Sequence, residues 1–332
     1  MSVTHTEPTR SPIEGVTAWR PDALSDGDWS WTFGRREADE IVEAATAAAG
    51  RGVRPQAVTI DDFPLPSIAA RVTEWSAALR CGLGFLLLRG FPIERMTAEE
   101  TELAYVGFGL HLGTPVGQNQ AGDTLTHIID ERLEESGPTV RLYRTNKRQD
   151  FHTDGADLVG LLCLHRARSG GESRIASGAT VYNEVLRRRP DLLEVLYRPM
   201  CWDMNGQEAP GAAPYFELAP CFEVDGAPRF FYIGWYIRDA QRHPQVPRLT
   251  DDQLAAMALV EEIANDPSIH VEMDFQPGDI QLLNNARILH AREAYEDDAD
   301  AAQRRHLLRL WLAAHQFASV EGGLRAGINT RR

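Results

Sequence analysis

Ile269-His-Val-Glu-Met-Asp-Phe275, then Gln276-Pro277-Gly278-Asp279, then Ile280-Gln-Leu-Leu-Asn284 is the stretch that decides how this chain is read. Ile269, Val271, Met273 and Phe275 alternate with His270 and Glu272, the period of a half-buried strand whose polar face meets water. Pro277-Gly278-Asp279 supplies turn chemistry, and Ile280 to Asn284 is an apolar run of strand length. Strand, turn and strand point to antiparallel β structure. Moving outward, Leu125 to Ile129, Val140 to Arg144, Leu158 to His165, Ser173 to Ser177, Phe222 to Val224, Arg229 to Ile237 and Arg305 to Ala313 also read as strands, with turns at Gly170-Gly171 and Asp225-Gly226. Helical spacing marks Arg36 to Ala49 and Ile68 to Leu79, and capping boxes open helices after Thr97 and Thr250. Two more helices are expected over Thr180 to Arg188 and Pro190 to Tyr197. The fold class is mainly β with flanking helices, a β-sandwich or jelly roll.

The chain has 332 residues, 43% hydrophobic and 25% charged, enough apolar material for a sizeable core without disulfide staples. Lys and Arg number 34 against 48 Asp and Glu, a formal net charge of -14 that repels a phosphate backbone. No nucleic-acid partner is therefore expected. No run is long enough to span a bilayer and the polar N-terminus lacks a signal peptide's apolar region, so no membrane partner is expected and a cytoplasmic location is. The four cysteines Cys81, Cys163, Cys201 and Cys221 lie far apart, as isolated thiols of a reducing compartment do. With no repeat or linker, one domain is expected over residues 16–325. A disordered arm is expected over 1–15 and a frayed tail over 326–332. Net charge leaves a homo-oligomer open.

His152-Thr153-Asp154 ends a strand-like segment, and in extended chain an imidazole and a carboxylate two residues apart face the same way. His5-Thr6-Glu7 and His270-Val271-Glu272 share the pattern, but one lies in the polar N-terminal arm and the other on the face assigned to water. His152 and Asp154 have further company in His290, which closes the strand-like Ile288-Leu289-His290. On the strand from Arg305, Arg305 and Arg309 share a face with Leu307 and Trp311, while His306, Leu308, Leu310 and Leu312 take the other. Arginines facing inward are costly unless an anion meets them. Two histidines and one carboxylate with open coordination positions form the facial triad of non-haem Fe(II) oxygenases.

The order Gly84-Phe-Leu-Leu-Leu-Arg-Gly-Phe-Pro92, His152-Thr-Asp154, Gly170-Gly171-Glu172-Ser173, Pro277-Gly278-Asp279, His290 and Arg305-x3-Arg309 resembles the taurine dioxygenase-like (TauD/TfdA) family of Fe(II)/2-oxoglutarate-dependent dioxygenases. The resemblance runs from about residue 80 to 315. It implies a double-stranded β-helix, the cupin-like, clavaminate synthase-like jelly roll. It implies that His152, Asp154 and His290 bind Fe(II), that Ser173 and Arg305 bind the C5 carboxylate of 2-oxoglutarate, and that Arg309 supports that bridge or reaches towards the substrate. The acidic stretch Glu296 to Asp300 lengthens the gap between His290 and the arginines.

The implied reaction converts 2-oxoglutarate and O2 to succinate and CO2 while hydroxylating a C–H bond of a small organic molecule. Desaturation, cyclisation and C–heteroatom cleavage are variants of the same chemistry. Asp154 occupies the position that related halogenases leave to chloride with Gly or Ala, which argues against halogenation. A non-catalytic jelly-roll binding protein is the rival class, but a binding module has no need of all five polar groups. Arg148 and Asp157 are candidate substrate contacts at the cavity mouth. Tyr232 and Trp235, in the aromatic run Phe230 to Tyr236, are candidate wall residues. The irregular stretch around Trp202, Met204 and Asn205 could form a lid. His111, His127 and His165 read as core histidines, and His306 as packing.

Overall fold

Alternation of side chains along strands builds two main sheets, with three two-stranded ribbons beside them among the described residues, and three apolar layers. The computed structural model describes residues 10–133, 140–224 and 227–314. Among these, the larger sheet runs Ser30–Thr32, Phe85–Arg89, Ile280–Asn284, Leu158–His165, His306–Ala314 and Gly113–Pro115, with Leu125–Ile128 also paired to His306–Ala314. The smaller sheet runs His270–Met273, Ser173–Ser177, Ile288–Arg292 and Gln149–His152, antiparallel throughout. Among the described residues only Ser30–Thr32 pairs in parallel, with Phe85–Arg89. Gly278 sits at φ +86° in the Pro277-Gly278-Asp279 turn, and a Cβ there would lie 2.6 Å from the Phe91 carbonyl, so the turn needs glycine.

Leu86, Leu88, Leu282, Leu308 and Leu310 face outward from the larger sheet into a core shared with the helices Arg35–Gly50, Ala69–Cys81 and Ala98–Leu110. Phe85, Leu87, Val159, Cys163, Leu307 and Trp311 face inward and meet Ile175, Met273 and Ile288 of the smaller sheet. Ala176, Leu289 and Ala291 cover the outer face of that sheet, against the helices Gly178–Arg188, Pro190–Leu196 and Asp251–Ala264. The functional residues lie between the sheets, at one end of the middle layer.

Several segments depart from expectation. Arg229 to Ile237 divides into a strand, Ala227–Phe230, and a short helix, Gly234–Asp239. Val140 to Arg144 is no strand but leads into a 3-10 turn, Leu142–Arg144. His270 is buried, its Nδ1 3.0 Å from the Ala264 carbonyl, and not on a solvated face. Residues 10–15, expected within a disordered arm, are held: Ile13 and Asn183 exchange two 2.8 Å hydrogen bonds, and Arg10 pairs with Glu194 and Glu223. The rest of that arm, residues 1–9, the Asp225-Gly226 turn and the tail expected over 326–332 lie outside the described residues.

Candidate metal centre and co-substrate pocket

Strand register brings the two histidines together. His152 stands opposite His290 in the antiparallel pair of Gln149–His152 with Ile288–Arg292, and residues opposite one another share a face. Their ring centroids are 4.1 Å apart. Asp154 follows just past the strand end, and Thr153 fixes the bend between them. The Thr153 N–H donates to the Tyr232 carbonyl at 2.8 Å, and its hydroxyl accepts from the Tyr232 N–H at 2.9 Å. The Asp154 N–H donates to Asn285 Oδ1 at 3.0 Å. One donor atom from each of His152, Asp154 and His290 lies within 4.8 Å of the others, and all three residues are buried. His152 Nε2 is 4.0 Å from Asp154 Oδ1, and His290 Nε2 is 3.9 Å from Asp154 Oδ2. A first-row metal sits roughly 2.0–2.2 Å from such donors, so pairs up to ~4.4 Å apart can share one ion.

The protonation states suit a cation. Burial pushes the His152 imidazole down against the opposing pull of Asp154. Burial and the neighbouring His152 push His290 down to about 3. Burial alone would raise the Asp154 carboxyl, but Arg309, both histidines and a Trp311 hydrogen bond outweigh it and hold the group below the usual carboxylate range. Two neutral imidazoles and one carboxylate are the forms that ligate a divalent metal. Outer partners orient them. His152 Nδ1 lies 2.8 Å from the Asp150 carbonyl, which takes the ring proton and leaves Nε2 its lone pair. Trp311 Nε1 donates to Asp154 Oδ2 at 2.9 Å.

Behind this cluster is a pocket lined by Ser173, Arg292, Arg305 and Arg309 as well as His152, Asp154 and His290. Arg305 is fully buried, its pKa lowered by desolvation, and among the described residues its Nη1 has no hydrogen-bond partner. A Cβ on Gly171, at φ +79°, would lie 2.9 Å from Arg305 Nε, so the Gly170-Gly171 turn makes room for the guanidinium. Ser173 Oγ lies within 3.2 Å of the Gln281 amide. Arg309 points to the metal end: Nε donates to Gln118 Oε1 at 2.7 Å, and Nη1 lies 3.5 Å from Asp154 Oδ2.

On the other side of the metal cluster, a second cavity is walled by Arg141, Tyr143, Gln149, Asn205, Trp235 and Tyr236. Trp235 meets the His152 ring edge-on at 5.0 Å. Asn205 is placed by a buried knot. It adopts φ +53°, and its N–H donates to Asp203 Oδ1 at 2.6 Å, while Asp203 accepts two bonds from Arg242 and lies 2.9 Å from His243 Nε2.

The profile of the taurine catabolism dioxygenase TauD, TfdA family matches residues 49–311. The chain belongs to that family. It is 33% identical over 313 residues to FR-33289 synthase of Streptomyces rubellomurinus, covering 91% of each chain. It is 33% identical to the taurine hydroxylase-like protein SAT17 of Stachybotrys chartarum, over 82% of this chain and 73% of that one. An asparagine oxygenase solved with Fe(II), 3-hydroxyasparagine and succinate shares the fold, with a TM-score of 0.65 at 16% identity over 86% of this chain and 93% of that one. As a member of the TauD/TfdA family, the chain is an Fe(II)/2-oxoglutarate-dependent dioxygenase.

His152, Asp154, His290, Ser173, Arg305 and Arg309 line one cavity of this TauD/TfdA protein, and Trp235 lines the second. Three other candidates lie outside both cavities. Arg148 sits at the surface, 3.3 Å from Asp150 and 3.7 Å from Glu293. Asp157 is buried and accepts the Ala314 N–H at 3.0 Å. The Tyr232 hydroxyl points away, towards Glu261 at 3.1 Å, so this residue serves the site through its backbone alone. Sequence reasoning missed Arg141, Tyr143, Gln149 and Arg292. Arg141 and Tyr143 sit where a strand was expected, and only the His-x-Arg spacing of Arg292 after His290 was there to find.

Proposed function

We propose that His152, Asp154 and His290 hold the Fe(II), that Arg305 and Ser173 receive the far carboxylate of 2-oxoglutarate, and that a C–H bond of the substrate is hydroxylated beside Trp235. The convergence of two neutral imidazoles and an ionised carboxylate on a pocket floored by a buried arginine, whose Nη1 has no hydrogen-bond partner among the described residues, carries this reading. Bound Fe(II) supplies the chemistry by which 2-oxoglutarate and O2 become succinate, CO2 and a hydroxylated product.

The chain's own residues do the placing. Trp311 occupies one oxygen of Asp154 and leaves Oδ1 to the metal. Arg309 keeps the carboxylate charged from 3.5 Å away, and the Gln118 bond fixes its guanidinium. Arg305 fixes how deep 2-oxoglutarate sits and so where its keto end meets the metal. Ile233, Trp235, Tyr236 and Trp311 line the substrate side and limit water. The described part of the domain expected over residues 16–325 acts as one catalytic unit in this reading, and its isolated thiols suit the cytoplasm. Anaerobic addition of Fe(II) and 2-oxoglutarate should give a weak visible charge-transfer band that His152→Ala abolishes. A protein without that band, or with the band intact in His152→Ala, contradicts the assignment.

A further inference from the structure

An arginine that the metal chemistry does not use stands in the wall of the substrate cavity. Arg141 caps the start of the 3-10 turn Leu142–Arg144 and is half-buried. Its charge reaches the buried Tyr236 phenol, across the same cavity from Trp235. Two arginines close by in sequence are neutralised: Arg144 pairs with Glu131, and Arg148 with Asp150 and Glu293. Among the described residues Arg141 has no such pair. Asp154 is the one acidic residue lining the cavity, and it already serves Arg309 and Trp311. A half-buried guanidinium facing a cavity without a counter-anion is costly, and a ligand that brings the anion offsets that cost.

Resting on the proposed reading of the metal centre, we infer that the substrate is a small organic anion without a free ammonium group, its anionic end held by Arg141 and its apolar body laid along Trp235. The second half follows from the same ledger of charge. An ammonium entering this cavity would meet Arg141 and Arg309, with no carboxylate to spare among the described residues. The asparagine oxygenase that shares the fold was solved with a hydroxylated amino acid, so the inferred substrate differs in class from that ligand. Carboxylate, phosphonate, sulfonate and phosphate monoester all offer the oxygens a guanidinium fork accepts. Tyr143, Gln149 and Asn205, on the same wall, can add hydrogen bonds to whichever is bound.

The test is a panel of small acids of these four kinds, each paired with its neutral amide or methyl ester, alongside free α-amino acids. Binding is read without turnover, as thermal stabilisation of Zn(II)-substituted protein with 2-oxoglutarate, and then as succinate released by the Fe(II) enzyme. Acids should bind and trigger succinate release where their neutral partners and the amino acids do not, and one acid class should lead. Arg141→Gln should raise the KM for that acid by roughly tenfold to a hundredfold with kcat little changed, and Arg141→Lys should recover much of the loss. A panel yielding only neutral compounds or amino acids, or nothing, overturns the inference, as does an Arg141→Gln enzyme with unchanged KM. The anaerobic 2-oxoglutarate band, recorded on the same samples, separates the two failures. Its absence in the unaltered protein removes the metal reading and this inference with it, whereas its presence beside an indifferent Arg141→Gln removes only the inference.

Discussion

Trp311 holds the Asp154 carboxylate by one hydrogen bond while its ring packs between the sheets. Trp311→Phe keeps most of the packing and deletes the donor, so Fe(II) affinity should fall by about 10–100-fold with the fold intact. Metal titration followed by the 2-oxoglutarate band, with circular dichroism as the control, measures both, and unchanged affinity would show that Asp154 needs no such support. Arg305 is buried, and among the described residues its Nη1 has no hydrogen-bond partner. Arg305→Ala should raise the 2-oxoglutarate requirement roughly a hundredfold, about 3 kcal/mol, since the co-substrate loses a buried charged partner. The protein without added ligand should melt no lower than the parent, because the change also removes a buried charge that makes no salt bridge among the described residues and is offset only by the Gly171 carbonyl, the Tyr295 ring and the nearby Asp297. If Arg309→Ala weakens 2-oxoglutarate binding by that amount and Arg305→Ala does not, the two arginines exchange roles.

The strand His306–Ala314 shows what could be read from the sequence and why. Leu308, Leu310 and Leu312 meet the helices while Leu307, Arg309 and Trp311 face the site, so one alternating pattern stated both the strand and its functional face. His152 and Asp154 were legible for a related reason, lying at and just past the end of a strand whose period is two. Phe230 to Tyr236 was not, because a continuous aromatic run looks the same whether it extends or coils. There the helix Gly234–Asp239 turns Trp235 towards His152 while the Tyr232 hydroxyl goes to Glu261. Arg141 and Asn205 lie on irregular backbone, where periodicity carries no information, and only the expected lid reached Asn205. Turn chemistry was more telling, and Gly171 gives it a test. Gly171→Ala sets a Cβ against Arg305 at a φ disfavoured for alanine, so stability should drop by about 1–3 kcal/mol and 2-oxoglutarate binding should weaken as Arg305 shifts. Urea melts and the anaerobic band measure the two effects, and a variant that kept full 2-oxoglutarate affinity would detach that turn from the pocket.

At the scale of the whole molecule, a formal charge of -14 surrounds a buried cationic pocket, and the two act on a dianion with opposite sign. Surface charges are screened within roughly 8–10 Å at physiological salt, whereas a buried guanidinium is screened much less. Arg292 and Arg305 share that pocket, and burial together with Arg305 pushes Arg292 down to about 10, so the ligand-free protein carries the cost of both. A ligand that supplies the missing charge must then stabilise the fold in proportion to its occupancy. At a hundred times its Kd this amounts to about 2.7 kcal/mol, and for a chain this long about 4 °C in melting temperature. 2-Oxoglutarate with Zn(II) should produce such a rise, and succinate, which keeps a carboxylate at each end, a smaller one. Pyruvate shares the keto acid but lacks the far carboxylate, and should give little at equal concentration. Because the contact is buried, raising salt from 50 to 300 mM should leave the 2-oxoglutarate shift nearly unchanged. A pyruvate shift equal to that of 2-oxoglutarate would mean that binding rests on the metal end alone, with Arg305 and Arg292 structural. A shift that collapses with salt would place the decisive charges at the surface instead.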